Sequence, residues 1–195
     1  VKLLLATHNE HKRREFARLL AGQDVQALPD EVELPPEDGA TFAENALGKA
    51  RAAAALAGTI AIADDSGIAA AALGGAPGVR SARYAGENAS DEQNLRKLLR
   101  EAPAGSALEY VCVIALVDPA GVEQLFEGRC TGRLAEVPRG EQGFGYDPAF
   151  VPEDGPSGLT MAELSDAQKD AISHRGHAAR ALLGWLVDGP AARGD

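Results

Sequence analysis

The chain has 195 residues, a length that accommodates one domain or two small lobes sharing a core. Hydrophobic residues make up 45% and charged residues 25%, which excludes wholesale disorder, and 29 acids against 19 bases give a formal net charge of −10. Such a surface repels a phosphate backbone, which excludes nucleic acid as a partner unless the few bases gather in one place. No apolar run approaches the roughly 18–20 residues of a membrane span. The opening Val1-Lys2-Leu3-Leu4-Leu5-Ala6 passes straight into polar His8-Asn9-Glu10 and does not read as a signal peptide. Cys112 and Cys130 lack CxxC spacing and a nearby histidine, so they read as core thiols of a protein in a reducing cytoplasm.

In chain order, Lys2–Ala6 predicts a buried strand, and Thr7-His8-Asn9 turns it into an amphipathic helix over Glu10–Leu20 that ends near Gly22. Val25–Leu28 predicts a second strand, and proline and acids make residues 29–39 a loop. Thr41 is an N-cap with Glu44 as capping-box partner, opening a helix that runs through alanine-rich sequence to Ala57 and stops at Gly58. Ile60–Ala63 predicts a strand that ends at Asp64-Asp65-Ser66-Gly67. Apolar Ile68–Leu73 follows, broken by Gly74-Gly75-Ala76-Pro77-Gly78, and Asp91–Arg100 predicts a third helix. Leu108–Asp118 and Val122–Arg133 predict a hairpin around Asp118-Pro119-Ala120-Gly121. Residues 140–152 read as a glycine-rich loop, Leu159–Leu164 as a turn, and Gln168–Val187 as a last helix before a frayed tail over 188–195. This order predicts a single α/β domain with a mixed sheet.

Five segments could carry chemistry. Thr7-His8-Asn9-Glu10-His11-Lys12 places hydroxyl, amide and lysine donors at the first turn of a helix, where free backbone N–H groups favour phosphate; it has no GxxxxGK[ST] pattern, and a simple N-cap followed by solvated bases would look the same. Asp64 and Asp65 follow a buried strand, where carboxylates are costly unless they bind a cation or accept several hydrogen bonds. The alternative there is a turn capped by Asp and Ser, with Gly67 supplying an unusual dihedral. Glu37-Asp38, with Glu44 and Lys49 on the following helix, is an acidic loop beside an isolated base, and capping is a sufficient task for Glu44. Gly143-Phe144-Gly145-Tyr146-Asp147-Pro148 combines close backbone approach with flat rings for stacking, or else the rings plug the edge of a core. Lys169 and Ser173 lie one helical turn apart and bring His174 and Arg175 with them; these donors suit a carbonyl edge or an anion, or Ser173 simply caps a helix with solvated charges. Taken together, the parts suit a nucleotide with its magnesium ion.

The motifs Thr7-x-Asn9-x-x-Lys12, Gly39-Ala40-Thr41-Phe42-x-Glu44-Asn45-Ala46-x-x-Lys49-Ala50, Ala63-Asp64-Asp65-Ser66-Gly67 and Leu73-Gly74-Gly75-Ala76-Pro77-Gly78 resemble the inosine triphosphate pyrophosphatase family of non-standard purine nucleotide pyrophosphatases. So do Ser81-Ala82-Arg83-Tyr84, Gly143-Phe144-Gly145-Tyr146-Asp147-Pro148, Met161-Ala162-Glu163-Leu164 and Ile172-Ser173-His174-Arg175-Gly176, in order along residues 3 to about 187. The resemblance implies an elongated mixed sheet with flanking helices in two lobes around a central cleft, and Mg2+-dependent hydrolysis of ITP, dITP and XTP to monophosphate and pyrophosphate by a cytoplasmic homodimer. By the same resemblance Thr7, Asn9, Lys12 and Lys49 would hold phosphates. Asp65 would be general base and metal ligand, with Asp64 and Glu37 as further ligands and Asp38 as the alternative to Glu37. Ser66 would touch substrate, Phe144 would stack on the purine, Gly145, Tyr146 and Asp147 would line its pocket, and Lys169, His174 and Arg175 would read the base. His8 and His11 stand where the family commonly has glycine, and Ile68 where leucine is usual. Two rival readings are a related hydrolase for another modified nucleotide, such as a pyrimidine triphosphate, and a nucleotide sensor that does not hydrolyse.

Overall fold

The computed structural model describes residues 1–189; the tail expected over 188–195 lies mostly outside the described residues. Among the described residues six strands form one mixed sheet in the order β2-β1-β3-β4-β5-β6, flanked by five α-helices, so the chain is an α/β protein. It divides into two compact units. The first comprises residues 1–65, 112–128 and 177 onward, and the second comprises 66–111 and 129–176.

The first unit begins with β1 (Lys2–Leu5), α1 (Glu10–Leu19), β2 (Asp24–Ala27) and α2 (Phe42–Ala57). β1 pairs in parallel with β2, Leu3 opposite Val25, and with β3 (Ala61–Ala70), Leu4 opposite Ala61. Successive side chains of a strand point to opposite faces, and both faces here are covered, which explains the unbroken apolar runs. Leu3, Leu5 and Ile62 pack with Phe16 and Leu20 of α1 and with Ala178, Ala179 and Leu182 of the last helix. Leu4, Ala6, Ala61 and Ala63 pack against Ala46, Ala50, Ala53 and Ala54 of α2. Gly58, left-handed at φ 59°, ends α2 as anticipated. Glu44 does not complete the expected capping box: Thr41 Oγ1 accepts from the Glu44 N–H, but Glu44 reaches one residue further back, to the N–H of Ala40 at 2.6 Å.

β3 is the main departure from expectation. It does not stop at Ala63 but runs ten residues through Asp64-Asp65-Ser66-Gly67 to Ala70, so the turn reading of this segment is wrong. Strand geometry persists because tertiary partners, described below, meet one oxygen of each carboxylate.

The second unit contains α3 (Asp91–Glu101), capped by a Ser90/Gln93 capping box, together with the start of β4 (Ala107–Val117) and the end of β5 (Glu123–Leu134), whose other residues and joining turn belong to the first unit. Asp118 Oδ1 closes that hairpin by accepting the N–H groups of Ala120 and Val122. Residues of β5 alternate between exposed and buried from Leu125 onward, the pattern of a sheet with one face in water. The glycine-rich stretch is not wholly loop. It ends in a 3₁₀ turn (Asp147–Ala149) and β6 (Phe150–Pro152), which pairs antiparallel with β5, Arg133 opposite Val151. The single helix expected from Gln168 is two, α4 (Asp166–Ile172) and α5 (His174–Asp188). Ser173 takes extended backbone between them, and its Oγ accepts the Gly176 N–H at 3.0 Å, an N-cap geometry. The unit's core gathers Ile68, Leu98, Tyr110, Leu134, Tyr146, Phe150 and Met161. Among the described residues no helix is long and apolar enough to cross a membrane.

Candidate active site

In the first unit, the β1–α1 junction is built around Asn9. Its Oδ1 accepts the N–H groups of His11 and Lys12 at 2.9 and 3.1 Å, so it is the N-cap of α1. Thr7, buried, accepts the Asn9 N–H through Oγ1 at 3.2 Å. Arg13 ties this junction down: its guanidinium donates to the Thr7 carbonyl at 3.0 Å, to Glu10 at 2.8 Å and to Asp30 at 2.9 Å. His8 Nε2 donates to the Val32 carbonyl at 2.8 Å, a second tie to the following loop.

Lys12 reaches from α1 to the fully buried Asp64, Nζ to Oδ2 at 3.1 Å, and the thiol of Cys112 lies 3.8 Å from the same oxygen. Asp64 therefore shares the sheet face of Ile62, under α1. Asp65, the next residue, is on the α2 face, where Asn45 Nδ2 donates to its Oδ2 at 2.8 Å. Lys49, buried on the same helix, donates to the Asp64 carbonyl at 2.7 Å and ion-pairs with Glu37. Asp38 is exposed, so Glu37 is the loop acid that turns inward. Burial opposes the Lys49 charge, yet Glu37, Asp64 and Asp65 outweigh it and hold the ammonium above the ordinary lysine value. Burial, and then the charge of Glu37, push the Asp65 carboxyl above the usual range, against the pull of Lys12, Lys49 and the Asn45 hydrogen bond.

In the second unit, Asp147 organises the other half of the predicted residues. This carboxylate, 3% exposed, accepts from Lys169 Nζ at 2.6 Å, from the Phe144 N–H at 2.9 Å and from the Tyr110 hydroxyl at 3.1 Å. It is thus an internal clamp. Lys169 and Arg175 both approach the Phe144 ring, Nζ at 5.3 Å and Cζ at 5.7 Å from its centroid. Arg175, only 1% exposed, donates to Ser66 Oγ at 2.8 Å, and His174 stacks on Tyr110 at 4.5 Å with an interplanar angle of 5°. His174 and Arg175 open α5 as the capped-helix alternative has it, but they are buried, not solvated. Close packing holds that corner: a Cβ on Gly176 would lie 2.0 Å from the Asp170 carbonyl oxygen. Gly145 adopts φ 64°, and its N–H donates to Asp91 at the start of α3, 3.0 Å away. Tyr146 is a core residue whose hydroxyl donates to the Ser81 carbonyl at 2.7 Å; of the two rings in the loop it alone plugs the core. Tyr110, Asp91 and Asn45 were not singled out from the sequence. Asn45 lies inside a recognisable motif, but nothing in its spacing indicates which carboxylate it meets.

The Ham1 family model matches residues 3–185 of the chain. The chain belongs to the Ham1 family. It is 52% identical to a dITP/XTP pyrophosphatase of Symbiobacterium thermophilum, over 91% of this chain and 90% of the relative, and 47% identical to one of Geobacter sulfurreducens, over 94% and 97%. Among solved structures it is similar to a HAM1 protein from Coxiella burnetii, with a TM-score of 0.85 and 39% identity over 97% of this chain and 100% of that one.

In this Ham1 chain Asp64 pairs with Lys12 and Glu37 with Lys49, while Asp65 lies within the field of both lysines, three acids with two bases. Among the described residues no group of three His, Cys, Asp or Glu side chains forms a ready metal cage. Mg2+ does not require one, since it is commonly held by one or two carboxylates with phosphate oxygens and water. Hard oxygen donors and a surplus negative charge fit such an ion.

Proposed function

We propose that the chain hydrolyses the non-standard purine nucleoside triphosphates ITP, dITP and XTP to nucleoside monophosphate and pyrophosphate, clearing them from the nucleotide pool of the cytoplasm as a homodimer. The observation that carries this reading is Asp65: a carboxylate buried in β3, oriented by a neutral amide and raised in pKa, within the field of two lysines. Raised basicity suits a carboxylate that must take a proton from water. Membership of a family whose relatives are named dITP/XTP pyrophosphatases supports the substrate class.

In this reading the Asn9-capped start of α1, with Thr7, Lys12 and Lys49, binds the triphosphate; free N–H groups, the helix dipole and two ammonium groups all favour anionic oxygen. Asp65 accepts the proton of a water molecule as its oxygen attacks the α-phosphorus, and pyrophosphate leaves. Asp65 with Glu37 and Asp64 would hold Mg2+, which when bound would supply positive charge against that growing on the phosphate oxygens. Phe144, with Lys169 and Arg175 beside it, stacks on the purine, with the loop through Gly145, Tyr146 and Asp147 supporting it. Lys169, His174 and Arg175 present donors to the 6-oxo edge, with Ser66 beside them. The 6-amino group of adenine would set donor against donor there, and a buried polar site of this kind can discriminate by factors of about 10⁴.

A panel of triphosphates assayed for pyrophosphate release with and without Mg2+ tests the proposal. Turnover of dITP and XTP only with Mg2+, with label from H2 18O appearing in the monophosphate, is the expected result. Release of orthophosphate, label in the pyrophosphate, or preference for a pyrimidine triphosphate would contradict it, and binding without turnover would favour the sensor.

A further inference from the structure

Asn45 carries two hydrogen bonds, one buried and one partly buried, that join two separate parts of the first unit. Its Nδ2 donates to Asp65 Oδ2 at 2.8 Å, and its Oδ1 accepts the Gly39 N–H, also at 2.8 Å. The side chain is 4% exposed, so neither bond is exchanged cheaply for one to water. An amide has one acceptor and one donor end, and here the two ends are fixed by what they meet: a carboxylate can only accept and a backbone N–H can only donate. The orientation of the Asn45 amide is therefore set by its partners.

Gly39 contributes through its missing side chain. A Cβ at this position would fall 2.7 Å from Asn45 Oδ1 and 2.8 Å from the Cβ of Glu44. Any larger residue would push the amide away from the loop, and with it the donor aimed at Asp65. Glu44 fastens the same loop through the Ala40 N–H, and Lys49 fastens it through Glu37 two residues before Gly39. The loop that presents Glu37 and the strand that presents Asp65 thus take their positions from one turn of α2.

We infer that Asn45 is a positioning residue for the reaction, orienting the Asp65 carboxylate and coupling it to the Gly39 loop. This deepens the hydrolase reading and rests on it. Neighbours that orient a reacting group typically matter by about 10- to 100-fold when removed. Positioning of the base affects the chemical step, so the loss belongs in kcat and not in KM.

The test uses Asn45→Ala, Gly39→Ala and the double variant, with dITP and Mg2+. Wild-type turnover of dITP tests the underlying reading by itself. Given that turnover, Asn45→Ala is expected to lower kcat about 10- to 100-fold with KM for dITP within about twofold. Gly39→Ala is expected to lower kcat in the wild-type background and to add little in the Asn45→Ala background, because both act through one amide. A folded Asn45→Ala variant with kcat within about threefold of wild type, or additive losses in the double variant, overturns the positioning role and leaves the hydrolase reading standing. A readout independent of turnover is the NMR signal of the Asn45 side-chain amide. It should move toward the ordinary range in Asp65→Ala and in Gly39→Ala; a signal insensitive to both overturns the coupling whatever the substrate is.

Discussion

Replacing Asp147 with alanine tests whether this residue is a clamp and not an exposed pocket wall. The substitution removes the acceptor for Lys169 Nζ at 2.6 Å, the Phe144 N–H at 2.9 Å and the Tyr110 hydroxyl at 3.1 Å. It also takes this carboxylate from an ammonium on a side chain only 5% exposed. Breaking a buried pair by deleting one partner costs about 3–5 kcal/mol, a large part of the roughly 5–15 kcal/mol that holds a typical fold together. For a chain of this size each kcal/mol moves Tm by about 2–4 °C, so a fall of about 6–20 °C is expected by calorimetry. Asp147→Ala combined with Lys169→Met should recover much of that loss, since replacing both members of a buried pair with apolar groups is often close to neutral. A single-variant loss under about 1 kcal/mol in urea denaturation, or no recovery in the double variant, would refute the clamp.

Phe144→Ala should raise KM for dITP about 5- to 150-fold, the equivalent of about 1–3 kcal/mol of stacking, with little change in Tm because the ring is only partly buried. An unchanged KM would count against stacking. The Cys130 thiol is pushed up to about 12 by burial and then by the charges of Asp154, Asp147 and Glu153, so it should resist alkylation in the native protein at pH 8 and react once the chain is unfolded. The unfolded chain releases this proton from about pH 9 and the native one only near 12, so this thiol's contribution makes stability fall as pH rises through that window; a Cys130→Ala variant should show a shallower fall.

Much of the architecture can be read from local pattern. The alternation of Leu3 and Leu5 against Leu4 and Ala6, the Thr41 cap and the Gly58 stop are each decided by residues within a turn or a strand of one another. The misreadings occurred where the deciding partner is distant in sequence. Asp64-Asp65-Ser66-Gly67 has the composition of a strand end, yet β3 continues because Lys12 and Asn45, contributed by two helices, meet those carboxylates and Lys49 meets the Asp64 carbonyl. β6 has three residues and exists only because β5 offers an edge. The break at Ser173 has a local signal, a serine three residues before Gly176, but alanine and leucine spacing on either side masks it. In the candidate site, residue types announced the acids, lysines and aromatic loop. They could not separate Phe144, which lies beside two cations, from Tyr146, which is core, nor identify Arg13, Asn45 and Tyr110, whose importance lies in what they touch.

The central claim is that Asp65 takes the proton from the attacking water, and the most direct measurement compares wild type with Asp65→Asn in steady-state hydrolysis and in direct binding of dITP. General-base catalysis of this kind contributes about 10²- to 10⁴-fold, so kcat should fall by that factor while dITP still binds within a few-fold of wild-type affinity. An Asp65→Asn protein that turns over dITP within a few-fold of wild type would contradict the account.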